Sequence, residues 1–320
     1  VVSVRETPAQ KEKRIAYLLA DYGRFFSYYL AHYCDDEETG KHTDCAPFQI
    51  KAAHTLRDHP TIQYAAQWAR GHAKSVHFDV GIPMYLKALK KLHLMVLVGK
   101  SKDNAETLLG DIQAEFEFNQ RYISDFGVQK VTGSWETGKF VTADGRAFFA
   151  RGRGQSPRGL RYKKYRPDYI VIDDLDDDEL VNNPDRVARL TKWVKEALFG
   201  TLDGGRGRFC MVGNLIGKNS VLANFMASDG VVVSKVNAID KNGKPAWAAK
   251  WSIEEIRAEE RFMGYISFQR EKMNNPITEG SIFRNDWIRW CRPLPLAKYD
   301  YLVCYCDPSF KSTTRNDYKA

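Results

Sequence analysis

Tyr169-Ile170-Val171-Ile172-Asp173-Asp174 is the stretch on which the reading turns. Four residues of buried-strand type run directly into two carboxylates. In a wound, mostly parallel sheet the strands are apolar on both faces, and polar side chains at their C-terminal ends line the ligand crevice. Upstream lies Trp68-Ala69-Arg70-Gly71-His72-Ala73-Lys74-Ser75, between a strand-like and a helix-like segment. That is the context of a phosphate-binding loop, G-x-x-x-x-G-K-[ST], whose backbone N–H groups and following helix N-terminus surround phosphates. Trp68 and Ala73 stand where the strict pattern has glycine. Arg70, Gly71, His72, Ala73, Lys74 and Ser75 are the candidate nucleotide-binding residues. Lys74 would sit on the β- and γ-phosphates, and Ser75 with Asp173 would hold Mg²⁺. Asp174 would take the proton of the attacking water. ATP and Mg²⁺ are the cofactors this pairing implies.

Outward from these motifs the texture is α/β. Residues 11–33 read as one helix with an aromatic stripe facing a core. Pro47-Phe48-Gln49 opens a short helix. Strands are expected at 61–69, 92–99, 169–172, 208–213 and 231–236, and helices at 75–89, 103–122 and 185–199. Asp144-Gly145 signals a hairpin within 140–150, and Ser252 with Glu255 a capping box. Strands alternating with helices mean a mostly parallel sheet flanked by helices.

Three further features bear on chemistry. The Gly-rich, basic stretch from Arg151 to Arg166 (RGRGQSPRGLRYKKYR) reads as a loop. Its Arg158 is a candidate arginine finger, acting in trans or in cis, or a DNA-backbone contact. Asn214, closing the strand-end run Met211-Val212-Gly213-Asn214, could sense a γ-phosphate. Asp176, Asp177, Asp178 and Glu179 read as a solvated acidic loop, with Glu179 the alternative to Asp174 as base. His32, Cys34, His42 and Cys45 lie close enough in sequence to consider zinc, though no standard finger spacing is met.

The chain has 320 residues, enough for about two domains. It carries 48 Lys and Arg against 40 Asp and Glu, a formal net charge of +8. Such an excess favours partners that carry phosphate. No apolar run approaches the roughly 20 residues of a membrane span, and the first residues lack the apolar stretch of a signal peptide. The six scattered cysteines read as reduced thiols. Together these point to a cytoplasmic protein.

The segments R-G-H-A-K-S, R-P-D-Y-I-V-I-D-D-L-D-D-D-E and V-G-N resemble the motor of the large terminase subunits of tailed bacteriophages and prophages. The resemblance implies a P-loop NTPase fold of the RecA/ASCE-like kind, with an N-terminal helical segment and a small lid region. It places Gln49 on the adenine side of the nucleotide. Cys306-Asp307-Pro308 resembles the first strand of an RNase H-like nuclease domain, with Asp307 a metal ligand of a site the chain does not complete. The implied division is 1–60 N-terminal helical and adenine-side region, 61–240 ATPase core, 241–297 lid or linker, and 298–320 start of the nuclease domain. The implied activity is ATP hydrolysis by Lys74, Asp174, Arg158 and Asn214, driving double-stranded DNA into a procapsid in a host cell's cytoplasm. The implied partners are DNA, portal protein and procapsid, a small terminase subunit, and further copies in a ring, with a monomer in isolation. The full-length protein would also cut DNA. Two other readings stand: another P-loop translocase or helicase, and a non-hydrolysing DNA- or portal-binding module.

Overall fold

The computed structural model describes residues 6–35, 38, 40–157, 159–277, 289, 295–299, 301 and 303. The chain divides into two compact units, Val1–Thr278 and Glu279–Ala320. Among the described residues, all strands and α-helices lie in the first.

The first helix, α1 (Pro8–Leu19), opens on a capping box in which Thr7 and Gln10 satisfy each other's backbone N–H groups. The single helix expected over 11–33 is in fact broken. Asp21 adopts an extended conformation and accepts from the Arg24 N–H, so a new helix, α2 (Tyr22–Tyr29), starts there. The aromatic stripe does face the core at Tyr22, Phe25, Phe26 and Tyr29, whereas Tyr17 is 59% exposed beneath Arg24. α3 (Pro47–Asp58) follows, started by its proline.

The sheet begins with β1 (Ile62–Trp68). A π-helical segment, Val76–Gly81, leads into α4 (Ile82–Ala88), and β2 (Leu94–Gly99) follows. The long helix expected to 122 is two, α5 (Lys102–Phe118) and α6 (Gln120–Phe126), because Asn119 leaves the helix and caps the second. β3 (Trp135–Glu136), β4 (Lys139–Val141) and β5 (Ala147–Gly152) form an antiparallel run that includes the expected hairpin. Then come β6 (Tyr169–Asp173), α7 (Asp178–Val181), α8 (Pro184–Lys192), β7 (Arg208–Gly213), α9 (Val221–Met226), β8 (Val231–Val236), α10 (Ile253–Met263) and α11 (Tyr265–Lys272). α10 carries the expected Ser252–Glu255 capping box.

The strands join in the order β3-β4-β5-β2-β6-β7-β1-β8, parallel from β5 onward. Alternation along each central strand feeds two cores. Met95 and Leu97 face one with Tyr64, Trp68, Val171 and the α1–α6 side. Leu94, Val96 and Val98 face the other with Ile170, Ile172 and Met211. Covering both faces is why β2 reads as an unbroken apolar run. A third, smaller core joins Ala69 to Ile256 and Phe268 of α10 and α11, which seats these helices beside the loop after β1. Among the described residues no helix is long and apolar enough to cross a membrane.

Glycine matters where β5 meets the start of α5: a Cβ on Gly152 would lie 2.6 Å from the Lys102 backbone nitrogen. Backbone cannot swing aside as a side chain can. Gly152→Ala is expected to destabilise the chain by about 1–3 kcal/mol, read as a lower midpoint in urea unfolding with the slope unchanged.

Candidate active site at the C-terminal edge of the sheet

Strand register brings the sequence motifs to one edge. Gln67 of β1 pairs with Gly213 of β7, and Val212 pairs with Asp173 of β6. Three consecutive strands therefore end together, and their next residues are the loop from Ala69 to Ser75, Asn214 and Asp174.

The loop turns through Gly71 at φ 90° and Ala73 at φ 57°. The second is a left-handed conformation at the position where glycine was missing from the pattern. The backbone demand of a phosphate-wrapping loop is thus retained, and alanine meets it at a cost of roughly 1–2 kcal/mol. Lys74 is nearly buried. Its ammonium donates to the Trp68 carbonyl at 2.9 Å and to Asn214 Oδ1 at 2.5 Å, and burial pulls its pKa below the usual lysine value. Ser75 Oγ donates to Asp173 Oδ2 at 2.6 Å. Asp173 is 1% exposed, and burial, followed by the charge of Asp174, lifts its carboxyl to about 6. The carboxyl of Asp79, wholly buried on the segment after the loop, lies against it and is pushed up by burial and then by Asp173. Asp174 takes a left-handed φ of 44°, its N–H bonded to the Val212 carbonyl. It lines a cavity of about 360 Å³ together with Arg70, Lys74, Lys100, Asn214 and Glu271.

The other expected residues fall in different places. Gln49 does not open on the cavity. It is fully buried, accepts from the Ala46 N–H at 2.7 Å and donates to the His72 carbonyl at 3.1 Å, so it braces the loop from behind. His72 points into the protein beside Phe48 and Trp247, and burial, then Lys74, lowers it to about 4. The acidic run is not a free solvated loop. Both oxygens of Asp176 accept backbone N–H groups, from Val221 and Leu222 at 2.9 Å, and hold the start of α9. Asp177 caps α7 and pairs with Arg153 at 2.6 Å. Sequence reading missed these because a run of like charges looks the same whether or not helix N-termini lie opposite it. Glu179 is turned away to Arg186 at 2.5 Å, so of the two candidate bases Asp174 is the one that lines the cavity. Arg158 and the segment Cys306-Asp307-Pro308 lie outside the described residues.

Glu271 of α11 is the participant no motif announced. Its carboxylate accepts from Asn214 Nδ2 at 3.1 Å and lies 3.5 Å from the Arg70 guanidinium, while its carbonyl accepts the Arg70 N–H at 2.9 Å. Lys272, the next residue, donates to the Arg70 carbonyl at 3.2 Å. The loop, Asn214 and α11 are therefore one polar network.

Of the four residues weighed for zinc, His32 turns to Glu115 at 2.7 Å and His42 meets Asp35 at 2.6 Å, while Cys34 and Cys45 lie together. Among the described residues no cluster of three or more His, Cys, Asp or Glu could hold a metal ion.

A mostly parallel sheet with a Lys-Ser loop after one strand and an aspartate from a neighbouring strand on the serine hydroxyl has the architecture of a P-loop NTPase core. The chain is similar to several solved structures. One is the large terminase of bacteriophage HK97, at 14% identity and a TM-score of 0.49, covering 80% of this chain and 55% of that one. Another is an ATPase-domain mutant of the Thermus phage P74-26 large terminase, at 11% identity and 0.46, covering 70% and 93%. A third is the DEAD-box helicase Mss116 bound to ssRNA and UDP-BeF, at 16% and 0.42, covering 68% and 46%. The chain thus spans about half the length of the HK97 protein. No family model matches, and no curated protein does.

The Asp79–Asp173 contact has a consequence for stability. A carboxyl with a raised folded pKa keeps its proton in the folded chain after the unfolded chain has lost it, so its penalty appears as pH rises past about 4. Asp79→Asn removes that penalty. Its stability advantage over the parent chain is expected to be small at pH 4 and to grow toward pH 7 in thermal melts across that range; an advantage independent of pH would mean that Asp79 is not held protonated.

Proposed function

We propose that the chain is an ATP-hydrolysing motor subunit acting on double-stranded DNA, the motor portion of a large terminase. The observation that carries the enzymatic part is the hydrogen bond from Ser75 to Asp173 beside the Lys74 ammonium. Elements distant in sequence there bring together a hydroxyl and a carboxylate that would suit a nucleotide-bound cation. Hydroxyl and carboxylate oxygens are the hard donors that Mg²⁺ prefers. Bound there, Mg²⁺ would neutralise phosphate charge.

The chain's own residues supply the rest. The loop N–H groups and Lys74 bind the phosphates. Asp174 orients a water and accepts its proton. Arg70 and Asn214 meet the γ-phosphate in exchange for Glu271, which competes for the same donors. That exchange loosens α11 from the loop when nucleotide binds and lets it return when phosphate leaves. The net positive charge suits a DNA partner. Portal and procapsid, a small terminase subunit and a ring of copies complete the proposal, as does DNA cutting by the full-length protein.

Turnover by the purified chain, with and without DNA, tests it. Lys74→Ala should abolish ATP hydrolysis. Asp174→Asn should bind nucleotide but lose about 10²–10⁴-fold in rate, because an amide cannot accept the proton. Equal turnover in both variants and the parent would remove the assignment, and no turnover in the parent would leave a non-hydrolysing binding module. Glu271→Gln should bind ATP more tightly than the parent in equilibrium titrations, since a neutral amide competes less well for Arg70; unchanged or weaker binding would refute the exchange.

A further inference from the structure

Residues 161–166 form a hydrogen-bonded turn at the other end of the sheet. Tyr162 and Tyr165 exchange both backbone hydrogen bonds at 2.9 Å, closing a two-residue turn whose tip is Lys163 and Lys164. Lys163 takes a left-handed φ of 53° to make it. Tyr165 stacks on His93 with ring centroids 4.4 Å apart and planes 21° from parallel, and His93 is held by Asp168 at 2.9 Å. Both oxygens of Asp168 are further occupied by the N–H groups of His93 and Leu94. The lysines lie over the two tyrosine rings, each 5.3 Å from a centroid. Arg161, Lys163, Lys164 and Arg166 are exposed, and none has a carboxylate ion-pair partner among the described residues. Glu136 alone brings a carboxylate to the hollow that Arg161 and Lys163 line.

We propose that this turn is a contact surface for the phosphate backbone of duplex DNA. Four cations held close together on a fixed scaffold repel one another, and they fit a partner that presents several phosphates at once. A protein partner would call for an aromatic anchor free to be buried, but here the Tyr165 ring is already stacked on His93 and each tyrosine ring carries a lysine over it. Contacts of this kind carry affinity without base sequence. The turn cannot serve the chain's own nucleotide: it precedes β6, whose five residues separate it from Asp174 by about 16 Å. The inference rests on the reading of the chain as a DNA motor and assigns the face that meets the DNA.

The test is binding of the purified chain to two unrelated duplexes by fluorescence anisotropy across a salt series, without nucleotide. Lys163→Gly/Lys164→Ser removes both charges and places glycine at the tip position with positive φ, which preserves the turn. Lys13→Ser/Lys241→Ser makes the same charge change elsewhere. The tip variant should weaken binding equally on both duplexes, and the slope of log affinity against log salt should fall by about 2. The control should leave the slope nearly unchanged. An unaltered slope in the tip variant, an equal effect of the control, or no binding by the parent chain overturns the proposal. Unaltered DNA binding with ATP turnover recovered on mixing the tip variant with Lys74→Ala subunits would instead assign the tip to a neighbour's nucleotide. The ATPase reading fails separately, through Lys74→Ala turnover, and does not enter these titrations.

Discussion

The ammonium of Lys74 is the charge around which the C-terminal edge of the sheet is organised. It is nearly buried, and a buried cation is tolerated only when oxygens surround it. Here they come from the Trp68 carbonyl at the end of β1 and from Asn214 beyond β7. One charge thereby ties the loop to the neighbouring strand, and the register of β1, β7 and β6 decides which residues can answer it. The Ser75–Asp173 bond extends the same arrangement to β6.

What makes this edge more than a stabilised turn is that its second layer lies on a different element. Asn214 accepts from Lys74 with its oxygen and donates to Glu271 with its nitrogen, so the amide's orientation is set from both sides. Glu271 also meets Arg70. A change of charge at the loop must then be felt by α11, because the groups that would bind a phosphate are the groups that hold the helix. The third core, around Ala69, is small. A modest rearrangement of polar contacts can therefore compete with the packing that seats α10 and α11.

The strands and the two motifs were legible in the sequence because each is local. An apolar run ending in Asp173-Asp174 and a Lys-Ser pair between a strand and a helix need no knowledge of the partner element. Breaks at Asp21 and Asn119 were legible in principle, since both are strong capping residues, but at Asp21 the continuous aromatic spacing outweighed the cap. Asp176, Asp79 and Glu271 were not legible. Their roles depend on what lies across space: the N-terminus of α9, a second buried carboxyl, and an asparagine on another strand. Gln49 was placed beside the right loop, but its contact with the His72 carbonyl was not legible, for a side chain that faces a loop from behind has the same sequence neighbours as one that faces it from the front.

The sheet itself separates two kinds of chemistry. Its C-terminal edge concentrates acids around a buried cation, with Lys74 answered by Asn214 and Asp173 by Ser75. Around the turn after Arg161, at the N-terminal end of β6, the cations are exposed and largely unanswered. β6 runs between the two, buried along its whole length and paired on both sides with parallel strands. A central strand so constrained does not bend independently of its neighbours. The soft contacts are those of Arg70, Asn214 and Glu271.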